Sequence, residues 1–415
     1  MLAPTINEQG RATGIGAGES PIMQRPMTRR RVLRVVGGAG AFVAVAAVVG
    51  GGVRAVDQGV FATGEGPAYA AWGDWPGQSG DGPLNLVRAA VLAANAHNTQ
   101  PWLFRVDASS LDLFADTARG TGANDPLGRE LMISLGCALE NVMLAAGPNG
   151  LVVRATPFPN PADPNHVARV DLTPDKPAGS ALYDAIPHRR TNRAAYVDTP
   201  VAAETLAAMT GLNDAADVAV VWLTSPEERR SVAELTIRAT EVFIADTEQS
   251  VDSFKWWRGD WDELQRSKDG ITLDAAGLPP LTRTLGKLMP DISRTTSDEA
   301  WLKMTREPQL STAAGFGIIV ARDHRAAAQR LEVGRLYQRL HLWATAEGLA
   351  MQPLNQTVER RDRELSTGIA PEIGRALDAL MPEPGWQAAM PFRIGYPKEE
   401  PLKSPRRPAA DVVLA

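Results

Sequence analysis

Ile186-Pro187-His188-Arg189-Arg190-Thr191-Asn192-Arg193-Ala194-Ala195-Tyr196 places three arginines and a threonine hydroxyl within five consecutive positions, 189–193. Guanidinium groups fork onto phosphate oxygens in a way lysine does not, and the threonine hydroxyl adds a neutral hydrogen bond. A short helix is expected over 181–186 and another over 203–209, so the basic run sits between two elements. It is a candidate clamp for one terminal phosphate. A solvated basic turn would satisfy the same residues, so the rest of the chain has to decide.

Working outward, the chain alternates strands and helices. Upstream, 84–94 has helical spacing and stops at the polar loop Asn95-Ala96-His97-Asn98-Thr99-Gln100-Pro101-Trp102. Strands are expected at 103–106 and 111–114, then a strong helix over 127–146 opened by Asp125-Pro126, then strands at 151–155 and 167–172. The 127–146 helix is apolar nearly all round and so belongs at the centre of the fold. Downstream come strand 218–223, a helix from 226 to about 246, strand 315–321, helix 324–347, strand 349–352 and a terminal block 391–397. This order predicts an α+β fold with a central sheet flanked by helices.

The 415 residues are 44% hydrophobic and 22% charged with a net charge of −5, which gives no global field for nucleic acid. The single cysteine, Cys137, excludes an intrachain disulfide and a Cys-based zinc site, and its apolar neighbours read as a buried thiol. The five histidines show no paired spacing, so no metal is expected.

Residues 1–26 are rich in Gly, Ala and polar side chains and are expected to be disordered. Thr28-Arg29-Arg30-Arg31-Val32-Leu33-Arg34 then precedes an uncharged run over 35–53. A basic block before an apolar run predicts export or membrane anchoring, and the adjacent arginines look like a twin-arginine signal. Ala68-Tyr69-Ala70 is a candidate cleavage site and 71–83 reads as linker. If the signal is not used, the chain stays cytoplasmic.

Between 250 and 310 the alternation breaks. Phe254, Trp256, Trp257 and Trp261 crowd one short stretch, followed by a proline-rich path to Met289-Pro290. Positions 256 and 257 diverge by about 100° on a helix, so these rings cannot share one face. A lid over a binding cavity and a peripheral helical hairpin are both open readings.

With these motifs in view, the chain resembles the flavin-dependent nitroreductase family, in particular its single-chain Acg-type branch, in which two related halves replace the usual homodimer. The resemblance covers about 84–407. It implies a first half over 84–186 and a second over 187–415 with the 250–310 insertion, after a tail and signal over 1–70. It implies bound FMN, whose phosphate would be held by Arg189, Arg190, Thr191 and Arg193, with Lys403, Arg406 and Arg407 as a second basic group. The loop residues Asn95, Ala96, Asn98 and Gln100 would face the flavin ring. Pro353, Leu354 and Asn355 lie where the family sets a backbone N–H against N5. Arg129 belongs to a helix start typical of the single-chain branch. The chemistry would be the flavin's, with no catalytic side chain; NAD(P)H and a small aromatic acceptor of nitro or quinone type are the implied partners, and one chain would be a monomer equivalent to the family's dimer. Ala96 replaces a hydroxyl common in the loop, and Asn355-Gln356 replaces an acidic residue and glycine. These departures, with the insertion, open a second reading: a lid-closed protein that sequesters FMN with little reductase activity.

Overall fold

The computed structural model describes residues 50–77, 81–381 and 383–414. The basic block 28–34 and most of the apolar run after it lie outside the described residues. The helices are α1 (Gly50–Asp57), α2 (Ala70–Gly73), α3 (Leu84–Ala90), α4 (Arg129–Ala146), α5 (Ala181–Ala185), α6 (Ala203–Thr210), α7 (Pro226–Ala245), α8 (Thr247–Phe254), α9 (Trp261–Ser267), α10 (Pro280–Leu288), α11 (Arg294–Met304), α12 (Ala327–Ala346), α13 (Gln356–Thr367) and α14 (Glu372–Asp378).

The strands form two antiparallel sheets rather than one central sheet. In the first, β1 (Trp102–Val106), β2 (Ser110–Ala115), β3 (Leu151–Pro157) and β4 (His166–Pro174) take the order β1-β2-β4-β3. In the second, β6 (Val218–Leu223), β9 (Gly315–Ala321), β10 (Ala350–Pro353) and β11 (Gln387–Pro397) take the order β10-β11-β9-β6, and β5 (Tyr196–Val197) pairs with the end of β11. A two-stranded parallel pair, β7 (Trp257–Arg258) with β8 (Ile271–Thr272), lies in the insertion. The strand positions expected from alternation are all strands here, whereas α13 and α14 were not legible. Their exposed-to-buried pattern is carried by charged residues: Glu359, Arg360, Arg361, Asp362 and Glu364 are all buried.

The larger of two apolar core clusters surrounds the crossing of α4 and α12, and a second, smaller one lies among α7, α13, α14 and the five-stranded sheet. The crossing is backbone to backbone. A Cβ on Gly136 would stand 2.1 Å from the Leu331 carbonyl oxygen, and one on Gly334 2.1 Å from that of Ile133. Cys137 donates its thiol hydrogen to the Gly334 carbonyl at 3.2 Å, so its role is the buried one expected. Beside it, Gln338 donates to Asn141 Oδ1 (2.8 Å) and Asn141 donates to the Ala89 carbonyl (2.7 Å). Arg335 pairs with Glu140 at 2.9 Å. These polar ties fix the rotation of one helix on the other, because a buried donor left unpaired costs about 1–3 kcal/mol. Among the described residues, 129–149 is the one helical stretch long and apolar enough to cross a membrane, and it is this core helix.

The stretch expected as linker begins inside the fold. Ala68, Tyr69, Ala71 and Trp72 are buried. Trp72 Nε1 donates to the Ser404 carbonyl at 2.8 Å, and the Arg406 amide donates to the Ala68 carbonyl at 2.7 Å. The candidate cleavage motif 68–70 is therefore part of the core. Upstream of it, the Arg54 guanidinium donates to the Leu288 and Met289 carbonyls, and Lys287 donates to the Gly59 carbonyl. The chain after 54 is a strap across the insertion, not tail.

Replacing Gly136 or Gly334 by alanine is expected to lower stability by about 1–3 kcal/mol, because the overpacking cost exceeds the roughly 1 kcal/mol that alanine gains in a helix. Gly73→Ala, where a Cβ meets nothing within 4 Å, serves as control; thermal melts of the three variants check the ranking.

Candidate functional site

The 250–310 segment closes one side of a cavity of about 300 Å³. Its floor comes from α4 and from the 94–97 loop, one wall from β10 and the start of α13, and the roof from Phe254, Trp257, Leu273, Met289 and Trp301. The four clustered aromatics go three ways, because α8 ends at Phe254, Trp257 opens strand β7 and Trp261 opens α9, so no one helix carries them. Phe254 and Trp257 face the cavity. Trp256 lies between the Arg119 and Arg258 guanidiniums, at 5.5 and 5.7 Å, and Trp261 covers Gly59 and the Lys287 ammonium. The insertion is pinned by Asp269, which pairs with Arg119 and, at 2.8 Å, with Arg258, and by Asp274 on Lys287 at 2.7 Å.

The basic run meets the cavity edge-on. Thr191 and Arg193 line it. Arg193 donates to the Ala275 carbonyl at 3.0 Å, and a Cβ on Gly277 would stand 2.4 Å from the Arg193 carbonyl carbon, so only glycine lets the insertion approach this closely. Arg189 is buried behind them, donating to the Leu92 carbonyl (3.1 Å) and to His341 Nδ1 (3.5 Å). His341 Nε2 donates to the Arg190 carbonyl at 3.1 Å, which fixes the neutral tautomer; burial and then Arg189 hold this imidazole far below its usual range. Arg190 stacks on Trp72 at 3.8 Å. Arg406, buried, donates to Asn98 Oδ1 and to the Pro405 and Ala93 carbonyls.

These four cations have almost no anions among them. Among the described residues, no carboxylate lies within ion-pair distance of Arg189, Arg190, Arg193 or Arg406; Glu400 acts on Arg190 from farther away. Burial first, and then mutual repulsion, depresses their basicity: Arg190 falls to about 9, and Arg406 is pushed down well below the usual range by Arg189, Arg190 and Arg193. The Nε hydrogens of Arg189 and Arg406 find no acceptor. Burying several unpaired charges of one sign is costly unless something compensates them. The arrangement is a candidate anion site.

Why the run holds its shape was not legible beforehand. Arg393, fully buried on β11, spends its guanidinium on protein oxygens alone: Gln352 Oε1 (2.7 Å) and the carbonyls of Gln309 (2.9 Å), Asn192 (3.1 Å) and Ala194 (2.7 Å). It is the scaffold of the loop.

Of the other sequence candidates, Asn95, Ala96, Pro353 and Asn355 line the cavity. Asn98 and Gln100 do not. Asn98 donates to the Gly270 and Pro405 carbonyls (3.2 and 2.9 Å), and Gln100 donates to the Lys268 carbonyl (2.8 Å) while accepting from the Arg407 amide (2.7 Å). Both tie the insertion to the C-terminal segment, and their positive φ values, with that of His97, show how tightly the loop is wound. Leu354 is in the second core cluster with its amide bonded to the Pro391 carbonyl at 2.9 Å, so that N–H is not free for a ligand. Arg407 faces Gln100 and Asp411, and Lys403 is exposed. Arg129 is buried on Asp362 at 2.6 Å; burial alone would weaken its base, but Asp362, Glu130 and Asp125 hold its charge.

Three cavity residues had no sequence signal: His97, Glu130 and Glu359. Burial raises the Glu130 carboxyl to about 7, and burial and then Glu130 push Glu359 well above the carboxylate range. His97 is lowered to about 4 by burial and then by Arg193. Cys137 is raised to about 12 by burial.

No protein-family model matches the chain. It is 29% identical over 341 residues to a Mycobacterium tuberculosis protein with the provisional name NAD(P)H nitroreductase, covering 79% of this chain and 90% of that one. A second protein of that organism, provisionally named the NAD(P)H nitroreductase acg, is 26% identical over 339 residues, covering 79% and 94%. Among solved structures, the FMN-dependent nitroreductase of Mycobacterium smegmatis in complex with NADPH superposes with a TM-score of 0.32 at 16% identity, covering 57% of this chain and 97% of that one.

The anion site predicts that millimolar phosphate raises the melting temperature of ligand-free protein more than chloride at equal ionic strength, since a ligand of the native state alone stabilises it. Arg193→Gln is expected to abolish the difference; equal responses before and after the change would show that the cluster binds no anion.

Proposed function

We propose that the protein is an FMN-binding oxidoreductase of the nitroreductase type, built as two related halves in one chain. The observation that carries this reading is the group of buried Arg189 and Arg406 with half-buried Arg190 and Arg193, which lacks carboxylate partners among the described residues and opens through Thr191 and Arg193 into a cavity with a largely apolar roof. A phosphorylated, flat, amphipathic ligand matches both parts. The likeness to two proteins provisionally named as nitroreductases supports the same reading.

In this reading Arg193 and Thr191 contact the phosphate, while Arg189 and Arg406 supply the field behind them. Asn95 and Asn355 offer amide groups to a heterocycle edge, and Arg393 holds the loop in place. FMN, when bound, supplies hydride transfer; the protein orients it and excludes water. NAD(P)H is the proposed donor and a nitro- or quinone-type aromatic the acceptor, because Phe254, Trp257 and Trp301 present aromatic faces to the cavity.

One observation favours a second reading. The roof is pinned by Asp269, Asp274 and the strap from Arg54, so it stands closed over the cavity. A closed roof would hold FMN and exclude NAD(P)H. Purified protein should be yellow with one FMN per chain; a colourless protein that takes up no flavin would sink both readings. Rapid reduction by NADPH, with turnover of a nitroaromatic, supports the oxidoreductase. Reduction by dithionite but not by NADPH supports sequestration.

The phosphate assignment predicts that Arg193→Ala weakens FMN by roughly one to two orders of magnitude, as a charge-assisted bond worth about 1.5–3 kcal/mol is lost. Riboflavin, which has no phosphate, is expected to bind almost unchanged. Titration by flavin fluorescence reads both. The basic block 29–31 before the apolar run supports export or membrane anchoring; changing all three arginines to lysine is expected to block a twin-arginine route, read with a fused reporter.

A further inference from the structure

The part of the cavity lining formed by α4, α13 and the 94–97 loop is acceptor-rich. Glu130 on α4, Glu359 on α13 and His97 on the tightly wound loop each present a donor atom, all within 4.8 Å of one another. Glu130 is 2% exposed and lines the cavity; its Oε1 accepts from Asn355 Nδ2 at 2.6 Å, while its Oε2 has no partner. Asn355 Oδ1, its orientation fixed by that same bond, is also without a partner. An unpaired buried carboxylate oxygen facing a second buried carboxylate is unfavourable unless a cation or a proton lies between them.

We propose that His97, Glu130 and Glu359 form a binding site for one divalent first-row metal ion at the α4–α13 wall of the cavity. One imidazole nitrogen and two carboxylates suit zinc or manganese better than a soft monovalent ion. Arg129, held by Asp362 at 2.6 Å, also pairs with Glu130 at 3.7 Å, so one shared cation stands beside two carboxyls and offsets only part of their charge. The His97 ring is oriented by Ser253 Oγ at 3.2 Å from Nε2, and its loop by Ser134, whose hydroxyl accepts from the Ala96 amide at 3.1 Å. Paired-histidine spacing could not reveal this site, because it draws one ligand from each of three distant parts of the chain. The site shares its cavity with the proposed flavin, so binding is read on flavin-free protein, where its outcome does not depend on that reading.

The test uses full-length protein stripped with a chelator. Calorimetric titration with Zn2+ and spin-resonance titration with Mn2+ should each find one site per chain. Glu359→Gln and Glu130→Gln keep side-chain shape and should each weaken binding at least about tenfold, with His188→Gln, at an exposed histidine, unchanged. His97→Asn tolerates the left-handed backbone and supplies a third arm should a glutamate variant fail to fold. The absence of a stoichiometric site, or binding undiminished in folded variants, overturns the proposal and leaves the carboxyl pair sharing a proton.

Discussion

The fold depends on two helices touching backbone to backbone. Gly136 and Gly334 bring α4 and α12 so close that a methyl group on either would overlap a carbonyl oxygen of the other. Everything functional is measured from that contact. α4 carries Glu130 and Ser134 to the cavity floor, and α12 carries His341 against the arginine run. Because a close-packed interface tolerates neither rotation nor added volume, the crossing fixes how the four-stranded sheet stands relative to the five-stranded one.

Against that rigid centre, the site stores opposed electrostatic strain. Part of the lining gathers guanidiniums with few anions, and part gathers two buried carboxyls that share Arg129, 3.7 Å from Glu130, with Asp362. Arg393 shows the contrasting design. It is as buried as Arg189, yet its donors all meet oxygens, and it serves as structure. The difference between a scaffold arginine and a ligand arginine here is hydrogen-bond accounting, not burial.

The 250–310 insertion couples the cavity to both ends of the chain. Lys268 and Gly270 receive Gln100 and Asn98, which in turn meet Arg407, Arg406 and Pro405. Lys287 and the Leu288 carbonyl meet the strap that runs from Arg54 to Thr63. Opening the roof would therefore break contacts with the N-terminal strap and the C-terminal segment together. Removal of the insertion would expose the buried Asn98 and Gln100 amides rather than simply uncover a cavity.

Local pattern by itself determined a good deal. Strand alternation and the proline and aspartate before α4 place most elements because they depend on neighbouring residues only. The run 189–193 was legible as a basic cluster, since guanidinium density is a property of composition, but a phosphate clamp and a solvated turn both satisfied it. Tertiary structure decided what those residues face. It turned Asn98, Gln100 and Leu354 away from the cavity, because their polar groups are taken by Gly270, Lys268 and Pro391. It brought in Arg393, Arg406's buried partners and the group His97, Glu130 and Glu359, whose members share no local spacing. A helix such as α13, with buried charges where apolar residues would normally signal packing, has no sequence period to betray it; only the partners across the interface make those charges tolerable.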